Sequence, residues 1–566
     1  LADANSKFGS QMTVGSASIR TWWPLLRQIG SLVRTLATQQ AAKHFSVLPK
    51  QCYFENGYAK NDQSDNKVHY LDILKNTPLS NSEEITSADI EFTAQKEFKL
   101  IGHNTISFNA LEKSTGAYAF IGDLTFGNSQ NTLLHAVSIA YKPNWPKPSK
   151  DFLQTIKQQY KLHYIVELHH KLSGYDFRVV LIGAKNWPLL KGKQVITQAL
   201  IEELKTHTTD IKTIDVFTTS IKKPTLNSTS TSLECSFFTP EIAHAPLETQ
   251  TAVVHYQKNG KLDIWAPTQA PQLAKQHIAD TLKIETNNIN LHTTVIGGSF
   301  GRKRYDDFII EASLISQQLF QLGQHNPIKL LWTREDDLSR EYYRPATWQN
   351  LSWSTETSAE IKHQLIESFA PNNSNIDSQH SFFPHLFWRI QTQKKQVSGK
   401  HLTGIWRAVD HGYLAFSICS FIDELSYLHK QDPCAFFMAN LSSLSLLNQL
   451  KTKLDPSIRY QPERLVNTIN TVKEMSKWDQ NNQLALGFAS YYSFRSYISI
   501  VVALKTDGKQ LFIKHIWVSV DCGIAINPDG LRAQIEGGLI FGLSACLYSQ
   551  LPNDSHLLST NFDSFQ

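Results

Sequence analysis

Three glycines in the run VIGGSFGRK, Val295–Lys303, make this the segment of the 566-residue chain best suited to contact a charged ligand. The run follows a β-branched stretch, Ile289–Ile296, that predicts a strand, and it precedes a stretch of helical periodicity. Glycine accepts positive φ and lets another backbone or a ligand approach closely. Backbone N–H groups at a helix start attract anionic oxygens. The spacing predicts a ligand-facing loop, although a packed structural turn would use the same residues.

A second run of small residues, GSASIR, occupies Gly15–Arg20. It precedes a helix predicted over residues 20–44 by apolar residues at helical spacing, namely Leu25, Ile29, Leu32 and Leu36. The run favours an N-cap for this helix. A cradle for a phosphate group is the alternative interpretation.

The segment after the glycine run predicts the elements that would hold it. Asp306 is expected to cap a helix that Gly323 ends, with an apolar face of Phe308, Ala312, Ile315, Leu319 and Leu322. Pro327–Trp332 then predicts a buried strand. The result is a βαβ-like unit with the glycine run at its turn. A dinucleotide-dependent dehydrogenase is the weaker interpretation, because GGSFGRK lacks the GxGxxG spacing and a suitable acidic residue about 20 positions on.

The rest of the chain divides by pattern. Residues 62–97 predict a polar loop, and residues 98–204 predict short strands that include a hairpin of Tyr164–His170 and Phe177–Gly183. Polar runs at Thr225–Ser232 and Pro371–Ser381 predict linkers. The hairpin carries histidine and glutamate side chains, but alternate strand positions face opposite ways, which argues against a shared metal; these residues are His163, Glu167, His169 and His170.

Composition excludes several classes of protein. Apolar residues make up 41% and charged residues 19% of the chain, as in soluble multi-domain proteins. The net charge of +5 comes without a Lys/Arg block, so we expect no nucleic-acid partner. Six scattered cysteines lack CxxC spacing and are interpreted as buried free thiols. The apolar stretch Gly537–Tyr548 is too short to span a bilayer.

Seven motifs between Thr239 and Tyr548, taken in order, carry a family resemblance. They are TPEIAHAPLE, IWAPTQAPQ, VIGGSFGRK, LLWTREDDLSREYYRPA, GIWRAVD, SFIDEL and VDCGIAINPDGLRAQIEGGLIFGLSACLY. The set resembles the molybdenum-binding large subunit of the xanthine dehydrogenase family, especially isoquinoline 1-oxidoreductase β-subunits and membrane-associated aldehyde dehydrogenases. GSASIRTWWPLLRQIG and IGHNTISFNALEKSTGAYAFIGDL, in the first half of the chain, are similar to the same branch.

The resemblance implies a multi-domain α+β fold with an α/β hammerhead domain and a two-lobed molybdopterin-binding domain. Residues 1–97 would form the N-terminal part of the molybdopterin-binding region, residues 98–205 the hammerhead-like domain and residues 206–566 the molybdopterin-binding domain. We expect the C-terminal end of that last domain to be missing, since Asn561–Gln566 reads as an interrupted strand.

The resemblance also implies site residues. Molybdenum is held by the dithiolene of the cofactor, so no protein ligand to the metal is expected. The loop beside the molybdenum oxo group would be Gly297, Gly298, Ser299, Phe300 and Gly301. Arg407 matches an arginine beside the pterin, and the phosphate end would be wrapped by Gly15, Ser16, Ala17 and Ser18. Gln269 and Gln534 match cofactor-facing positions and are equally explained as packing amides. His244 and Glu248 match a segment near the metal but are not assigned to the site.

The implied reaction is the oxidation of an aldehyde or an N-heterocyclic aromatic compound, with water as the oxygen source. The implied partners are a small-molecule substrate and a 2Fe–2S small subunit that takes the electrons, with a cytochrome c subunit as a further one. The cytosine dinucleotide form of molybdopterin and a periplasmic or membrane-associated location are also typical of this branch.

Departures from the family pattern leave an alternative open. The general-base glutamate of a GxGE motif is expected beyond Gln566, and the MGQG motif before GSASIR is missing. We therefore expect a fragment cut at both ends and inactive, and we assign no catalytic residue. WRAVDHGYLAFSICSF departs from the usual pattern, and in ASYYSFRSY the residue Arg495 replaces a glycine, where a buried arginine would fill the pocket. These changes fit a different substrate or a non-catalytic homologue that serves as a scaffold or cofactor-binding protein.

Overall fold

The computed structural model describes residues 11–75, 92–126, 133–207, 232–355, 361–369, 390–399, 401–441, 460–480, 484–508, 510–548, 551 and 560–564. The chain forms two compact units. The first comprises Leu1–Met12, Ser107–Gly523 and Ile535–Gln566, and the second comprises Thr13–Ile106 and Ile524–Gln534. Helices and strands are mixed throughout, which confirms the predicted α+β class.

The second unit contains a long helix and a small antiparallel sheet. Its elements are α1 (Ala17–Phe45), β1 (Cys52–Glu55), β2 (Tyr58–Asn61), β3 (Ser64–His69) and α2 (Tyr70–Lys75). The helix predicted over residues 20–44 is confirmed, but only its C-terminal half packs into a core, through Ala41 against Ala59 and Ile73. The polar loop predicted from residue 62 is wrong for residues 64–75, and residues 76–91 lie outside the described part of the chain.

The remaining strands belong to the first unit. They are β4 (Leu134–Tyr141), β5 (Tyr164–Leu172), β6 (Tyr175–Gly183), β7 (Ser232–Thr239), β8 (Thr251–Tyr256), β9 (Leu262–Ala266), β10 (Ile289–Thr293), β11 (Ile328–Leu331), β12 (Thr347–Ser354), β13 (Ile361–Phe369), β14 (Ile390–Ser398), β15 (Ala485–Ser493), β16 (Ser496–Thr506) and β17 (Leu511–Asp521).

The remaining helices follow in chain order. They are α3 (Ala110–Thr115), α4 (Lys150–Gln159), α5 (Asn186–His207), α6 (Pro271–Leu282), α7 (Asp307–Gln321), α8 (Arg334–Ser339), α9 (His411–Leu428), α10 (Pro433–Ala439), α11 (Pro462–Ser476) and α12 (Pro528–Leu547). Among the described residues, no helix combines the length and the apolar character that crossing a bilayer requires.

A seven-stranded sheet with strand order β10-β9-β8-β11-β4-β6-β5 supports the glycine run. Alternate residues of its strands enter two cores, as the two-residue period of a strand requires. Val180 packs with α6 and α7 on one face, and Val179 packs with α4 and α5 on the other. Leu134 of β4 pairs in parallel with Ile328 of β11. The predicted boundary between residues 205 and 206 thus falls between strands that share one sheet.

Two further sheets, of order β14-β13-β12-β7 and β15-β16-β17, share a core with α9, α10 and α11. Phe421 of α9, Leu465 of α11 and Leu351 of β12 are fully buried in that core. The turn between β15 and β16 is Phe494–Arg495, and both residues have positive φ, at 47° and 65°. Such values are typical of the two-residue turns that match the right-handed twist of a hairpin.

Local structure agrees with the predicted hairpin and differs from other local predictions. The hairpin is confirmed as β5 and β6, joined at Ser173 and Gly174 with φ values of 52° and 78°. The prediction of short strands over residues 98–204 missed the helices α3, α4 and α5. The strand expected at Asn561–Gln566 is wrong for its described part, where the Ser564 N–H donates to the Asn561 carbonyl and closes a turn.

Two expectations concern other parts of the chain. The predicted linkers at Thr225–Ser232 and Pro371–Ser381 lie outside the described residues, apart from Ser232, which begins β7. Cys235 and Cys434 are buried thiols as expected, whereas Cys546 is exposed.

Candidate cofactor site

The glycine run lies between β10 and α7 in the first unit. The strand ends at Thr293, earlier than predicted, and a single 3₁₀ turn at Arg302–Arg304 precedes the helix. Phe308, Ala312, Ile315 and Leu319 of α7 are buried as predicted, but Leu322 is 60% exposed and follows the helix. Gly323, with φ of 80°, closes it as expected.

Asp306 precedes α7, but its side chain does not cap the helix. Its carboxylate lies 2.8 Å from Nδ1 of His277, and this hydrogen bond raises the pKa of His277. The predicted position of the helix start is therefore confirmed, and the predicted capping bond is wrong.

The backbone of Ile405 approaches position 301 so closely that only glycine fits there. Gly301 has φ of 118°, and a Cβ atom there would lie 2.0 Å from the carbonyl oxygen of Ile405. His244 donates from Nε2 to the same carbonyl over 2.8 Å, and its Nδ1 lies 3.1 Å from a carboxylate oxygen of Glu341. His244 thereby bridges the Glu341 carboxylate and the Ile405 carbonyl. The glycine run and the segment before Arg407 are thereby locked together.

Four successive backbone N–H groups in the run remain available. Gly297 donates to Glu248 Oε2 over 2.9 Å, so its N–H is already used. The N–H groups of Gly298, Ser299, Phe300 and Gly301 donate to no acceptor in the part of the chain that the structure describes. Phe300 has φ of 56° and Gly298 has φ of 102°, so the peptide planes of the loop turn through left-handed conformations. Successive N–H groups in such a turn form a concave site for an anion.

Arg407 and a stack of three aromatic rings, one of which is Phe300 of the loop itself, lie at this site. The ring of Phe541, in α12, stacks on Phe300 at 4.5 Å and on Trp406 at 4.6 Å between ring centroids. The Arg407 guanidinium carbon lies 5.9 Å from the Phe300 ring centroid and 5.7 Å from that of Phe541. The structure therefore brings together the loop and Arg407, two features that are distant in sequence.

A buried ion pair lies directly behind the loop. Lys303, with no exposed surface, forms an ion pair with Glu248, whose side chain is 14% exposed. Burial lowers the pKa of Lys303, although Glu248 opposes this. The second oxygen of Glu248, Oε1, is buried and accepts no hydrogen bond from the described residues. Glu248 thus holds Gly297 in place and keeps one free acceptor oxygen.

Arg302 anchors the end of the loop. Its guanidinium is fully buried and forms a two-bond fork with the Asp307 carboxylate, each bond 2.9 Å long. Its Nε lies 2.9 Å from Glu341 Oε1. Burial alone would raise the pKa of Glu341, but His244 and Arg302 bring it below its usual value. These charges fix the loop, since a buried charge without a partner is strongly unfavourable.

Gln269 is bonded to the loop rather than pointing away from it. Its side-chain oxygen accepts a hydrogen bond from the Ser299 hydroxyl, and its backbone N–H donates to the Lys303 carbonyl over 2.8 Å. The observed contacts favour a supporting role for Gln269, one of the two interpretations that the sequence left open.

The N-terminal site residues and Gln534 belong to the second unit. Gly15 and Ser16 have φ of 61° and 51°, Ala17 begins α1, and the Ser16 side chain makes no capping bond. The predicted N-cap is therefore wrong in its chemistry. Ser16, Ser18 and Gln534 are exposed.

The prediction that a buried Arg495 fills a pocket is also wrong. Arg495 is exposed at the β15–β16 turn with φ of 65°, so it does not fill a buried pocket. The glycine usual at this position in the family matches the left-handed backbone of the turn.

Sequence reasoning set aside the charged residues behind the loop. His244 and Glu248 had been noticed in TPEIAHAPLE but were not assigned to the site, and Glu341 was not singled out. The available signal was the charge-rich segment LLWTREDDLSREYYRPA next to a buried strand, because charges that close to a core need partners.

Comparison with known proteins identifies the family. The family profile of the molybdopterin cofactor-binding domain matches residues 213–373, and a second profile with the same description matches residues 459–566. The chain therefore carries molybdopterin-binding domains of the xanthine oxidase family. The relatives of this chain include an isoquinoline 1-oxidoreductase subunit and a membrane-bound aldehyde dehydrogenase, and the predicted resemblance is confirmed.

Two curated relatives align with nearly all of this chain. Isoquinoline 1-oxidoreductase subunit beta of Brevundimonas diminuta is 22% identical over 96% of this chain and 75% of its own. The membrane-bound aldehyde dehydrogenase (pyrroloquinoline-quinone) of Gluconacetobacter polyoxogenes is 20% identical over 96% of this chain and 75% of its own.

Solved structures of low identity share the fold. Quinoline 2-oxidoreductase from Pseudomonas putida 86 has a TM-score of 0.50 at 13% identity, over 69% of this chain and 57% of that one. Aldehyde oxidoreductase from Desulfovibrio gigas has a TM-score of 0.50 at 12% identity, over 76% and 53%. The chain thus spans little more than half the length of either solved chain.

Proposed function

We propose that this chain is the molybdopterin-binding part of a molybdenum hydroxylase that oxidises an aldehyde or an N-heterocyclic aromatic compound. The observation that carries the proposal is the run of four available N–H groups at Gly298–Gly301 beside Arg407. The names of the relatives, which include isoquinoline and aldehyde as substrates, support the substrate class. Water as the oxygen source follows from the family resemblance.

The residues fit an anionic, planar cofactor. The N–H groups of Gly298–Gly301 would donate to its anionic oxygens, a preorganised arrangement that costs no rearrangement on binding. Arg407 would supply a charged fork to phosphate or to ring acceptors, worth roughly 1.5–3 kcal/mol. When bound, the cofactor would supply the metal that takes up two electrons from the substrate. The role of the protein at this loop is to bind and orient the group.

Charge behind the loop would maintain this geometry. Lys303 and Glu248 hold Gly297, and Arg302 with Asp307 holds the first turn after the loop. Because these groups are buried, solvent screens them little. The loop would therefore keep its N–H groups aligned whether or not the ligand is present.

Metal analysis of the longest natural form of the protein tests the proposal. About one equivalent of molybdenum is expected in the wild type, and Arg407→Met should retain several-fold less. Arg304→Met, which removes the same charge from a less buried site in the neighbouring turn, is the matched control and should retain wild-type molybdenum. Less than about a tenth of an equivalent in the wild type would contradict cofactor binding, since a tightly held prosthetic group is near stoichiometric. Full loading without turnover of any aldehyde or N-heterocycle would favour the non-catalytic homologue.

Three finer features are proposed from the family resemblance. The cofactor would be the cytosine dinucleotide form, electrons would pass to a 2Fe–2S subunit with a cytochrome c subunit beyond it, and the complex would be periplasmic or membrane-associated. The existence of relatives that are subunits or membrane-bound supports the last two features. Release of another nucleotide on acid hydrolysis, co-purification without iron, or recovery in the cytoplasmic fraction would each contradict the corresponding feature.

A further inference from the structure

A cavity of about 520 Å³ lies in the first unit between α5, α8 and β4. It shares no lining residue with the glycine run, Arg407 or the aromatic stack. Its volume falls in the range of pockets that hold small organic ligands. The cavity is therefore a separate candidate site.

One wall of the cavity is apolar. Leu190 and Ile201 lie on one face of α5, three turns apart, and Ile139 of β4 completes the wall. Ile139 is 3% exposed and Ile201 is 7% exposed. Gln194 and Gln198, on the same helix face, are exposed and form the entrance. A compact hydrocarbon group would be removed from water against this wall.

The other end of the cavity carries spare hydrogen-bond donors. Lys193 is 7% exposed, and its ammonium has three protons. Two of them reach the Asp336 carboxylate and the Thr333 hydroxyl, the latter over 3.2 Å. The third has no acceptor among the described residues. The hydroxyl of Thr197, one turn further along α5, is also buried and has no partner among them. An acceptor group from a ligand would satisfy both.

The charge of the lining favours an anion. Arg334 pairs with Asp337, which does not line the cavity, whereas Lys193, Arg340 and the adjoining Arg178 share two buried carboxylates, Asp336 and Glu311. Asp336 is shared, because it pairs with Lys193 and also with Arg340 at 2.9 Å. A ligand with one negative charge would complete this set, whereas a cation would meet the ammonium of Lys193.

We propose that this cavity binds a monocarboxylate with a compact apolar body. The carboxylate accepts hydrogen bonds from Lys193 and Thr197, and the apolar body packs against Ile139, Leu190 and Ile201. Lys193 and Thr197 lie four positions apart on α5 and therefore on the same side of the helix, so one ligand group can lie between their two donors. The inference does not depend on the cofactor site or on the proposed reaction.

Calorimetric titration of the full chain with benzoate tests the proposal. Benzyl alcohol and benzylamine serve as neutral and cationic probes of nearly the same shape. Saturable binding of benzoate is expected, with the other two compounds at least about tenfold weaker. Lys193→Met and Thr197→Val should each weaken benzoate at least about fivefold, because each removes one donor.

Lys191→Met is the matched control. Lys191 is exposed on the same helix and does not line the cavity, so its variant loses the same charge and should bind benzoate as the wild type does. Circular dichroism establishes whether each variant is folded. If Lys193→Met does not fold, Thr197→Val alone tests the proposal. Absence of saturable benzoate binding, equal binding by Thr197→Val, or preference for benzyl alcohol or benzylamine would overturn the proposal.

Discussion

Two runs of small residues, Gly297–Gly301 and Gly15–Ser18, look alike in sequence but are built differently. Each precedes a helix, and each was assigned to the same cofactor. The first is backed by fully buried Arg302 and Lys303, and Gly301 has no room for a side chain. The second presents exposed serines at the start of α1, and Ser16 makes no capping bond.

The difference shows what a run of small residues does and does not specify. It marks where the backbone is open to a ligand, because no large side chain intervenes. It does not state how firmly that backbone is held. In the first run, ion pairs with carboxylates far along the chain hold it. The second run lacks such pairs among the described residues, so its shape depends on local preferences alone.

Removing the buried guanidinium behind the first run should have the largest effect. Arg302→Met leaves Asp307 and Glu341 without their shared countercharge, and we expect a loss of about 3–5 kcal/mol in the free energy of unfolding, measured by urea denaturation. Arg304→Met, two residues on and less buried, should cost less than about 1 kcal/mol. Similar losses for both variants would show that the buried fork does not hold the loop.

Crowding at Gly301 should have the next largest effect. In Gly301→Ala the new Cβ would meet the Ile405 carbonyl at 2.0 Å, so one segment must move, at a cost of about 2–4 kcal/mol in unfolding free energy. Gly298→Ala is the control: its φ is also positive, at 102°, but its nearest neighbour would be 3.5 Å away, so only about 1–2 kcal/mol is expected. A Gly301→Ala variant as stable as Gly298→Ala would refute the close-packed interlock.

In the second run, introducing a glycine at position 16 should raise the free energy of unfolding rather than lower it, and this effect should be the smallest of the three. Ser16 holds a left-handed conformation, with φ of 51°, that glycine adopts more easily. Ser16→Gly is therefore expected to raise the free energy of unfolding by about 1 kcal/mol, whereas Ser18→Gly, inside the first turn of α1, should be neutral or slightly destabilising. Thermal unfolding followed by circular dichroism compares them. A destabilised Ser16→Gly would mean that this run is held more firmly than its contacts indicate.

Local patterns predicted the parts of the fold that depend on neighbouring residues. The buried face of α7 and the β5–β6 hairpin follow from spacing within a few residues, and both were found in the sequence. Leu322 was wrongly placed on the buried face, because the helix ends at Gln321 and Leu322 is exposed after it. Arg495 was misjudged because its glycine counterpart suggested an empty space, whereas the position needs only a left-handed backbone.

The contacts that hold the candidate site were beyond such patterns. The Lys303–Glu248 pair joins positions 55 residues apart, and the His244–Ile405 bond joins positions 161 residues apart. No periodic pattern in the sequence marks either contact, because each forms only when separate strands and loops pack together. Sequence order did identify Arg407 through the family resemblance, but the Phe541 ring that packs beside it was not anticipated.

The contact between Gly301 and the Ile405 carbonyl has a consequence for how such a site can change over time. Two loops that touch backbone to backbone form a single rigid part, so neither can lengthen or shift alone. A change of substrate preference must therefore come from side chains around this part, or from both loops altered in concert. Related sequences that carry a larger residue at position 301 should also differ in the length or path of the segment at 404–406.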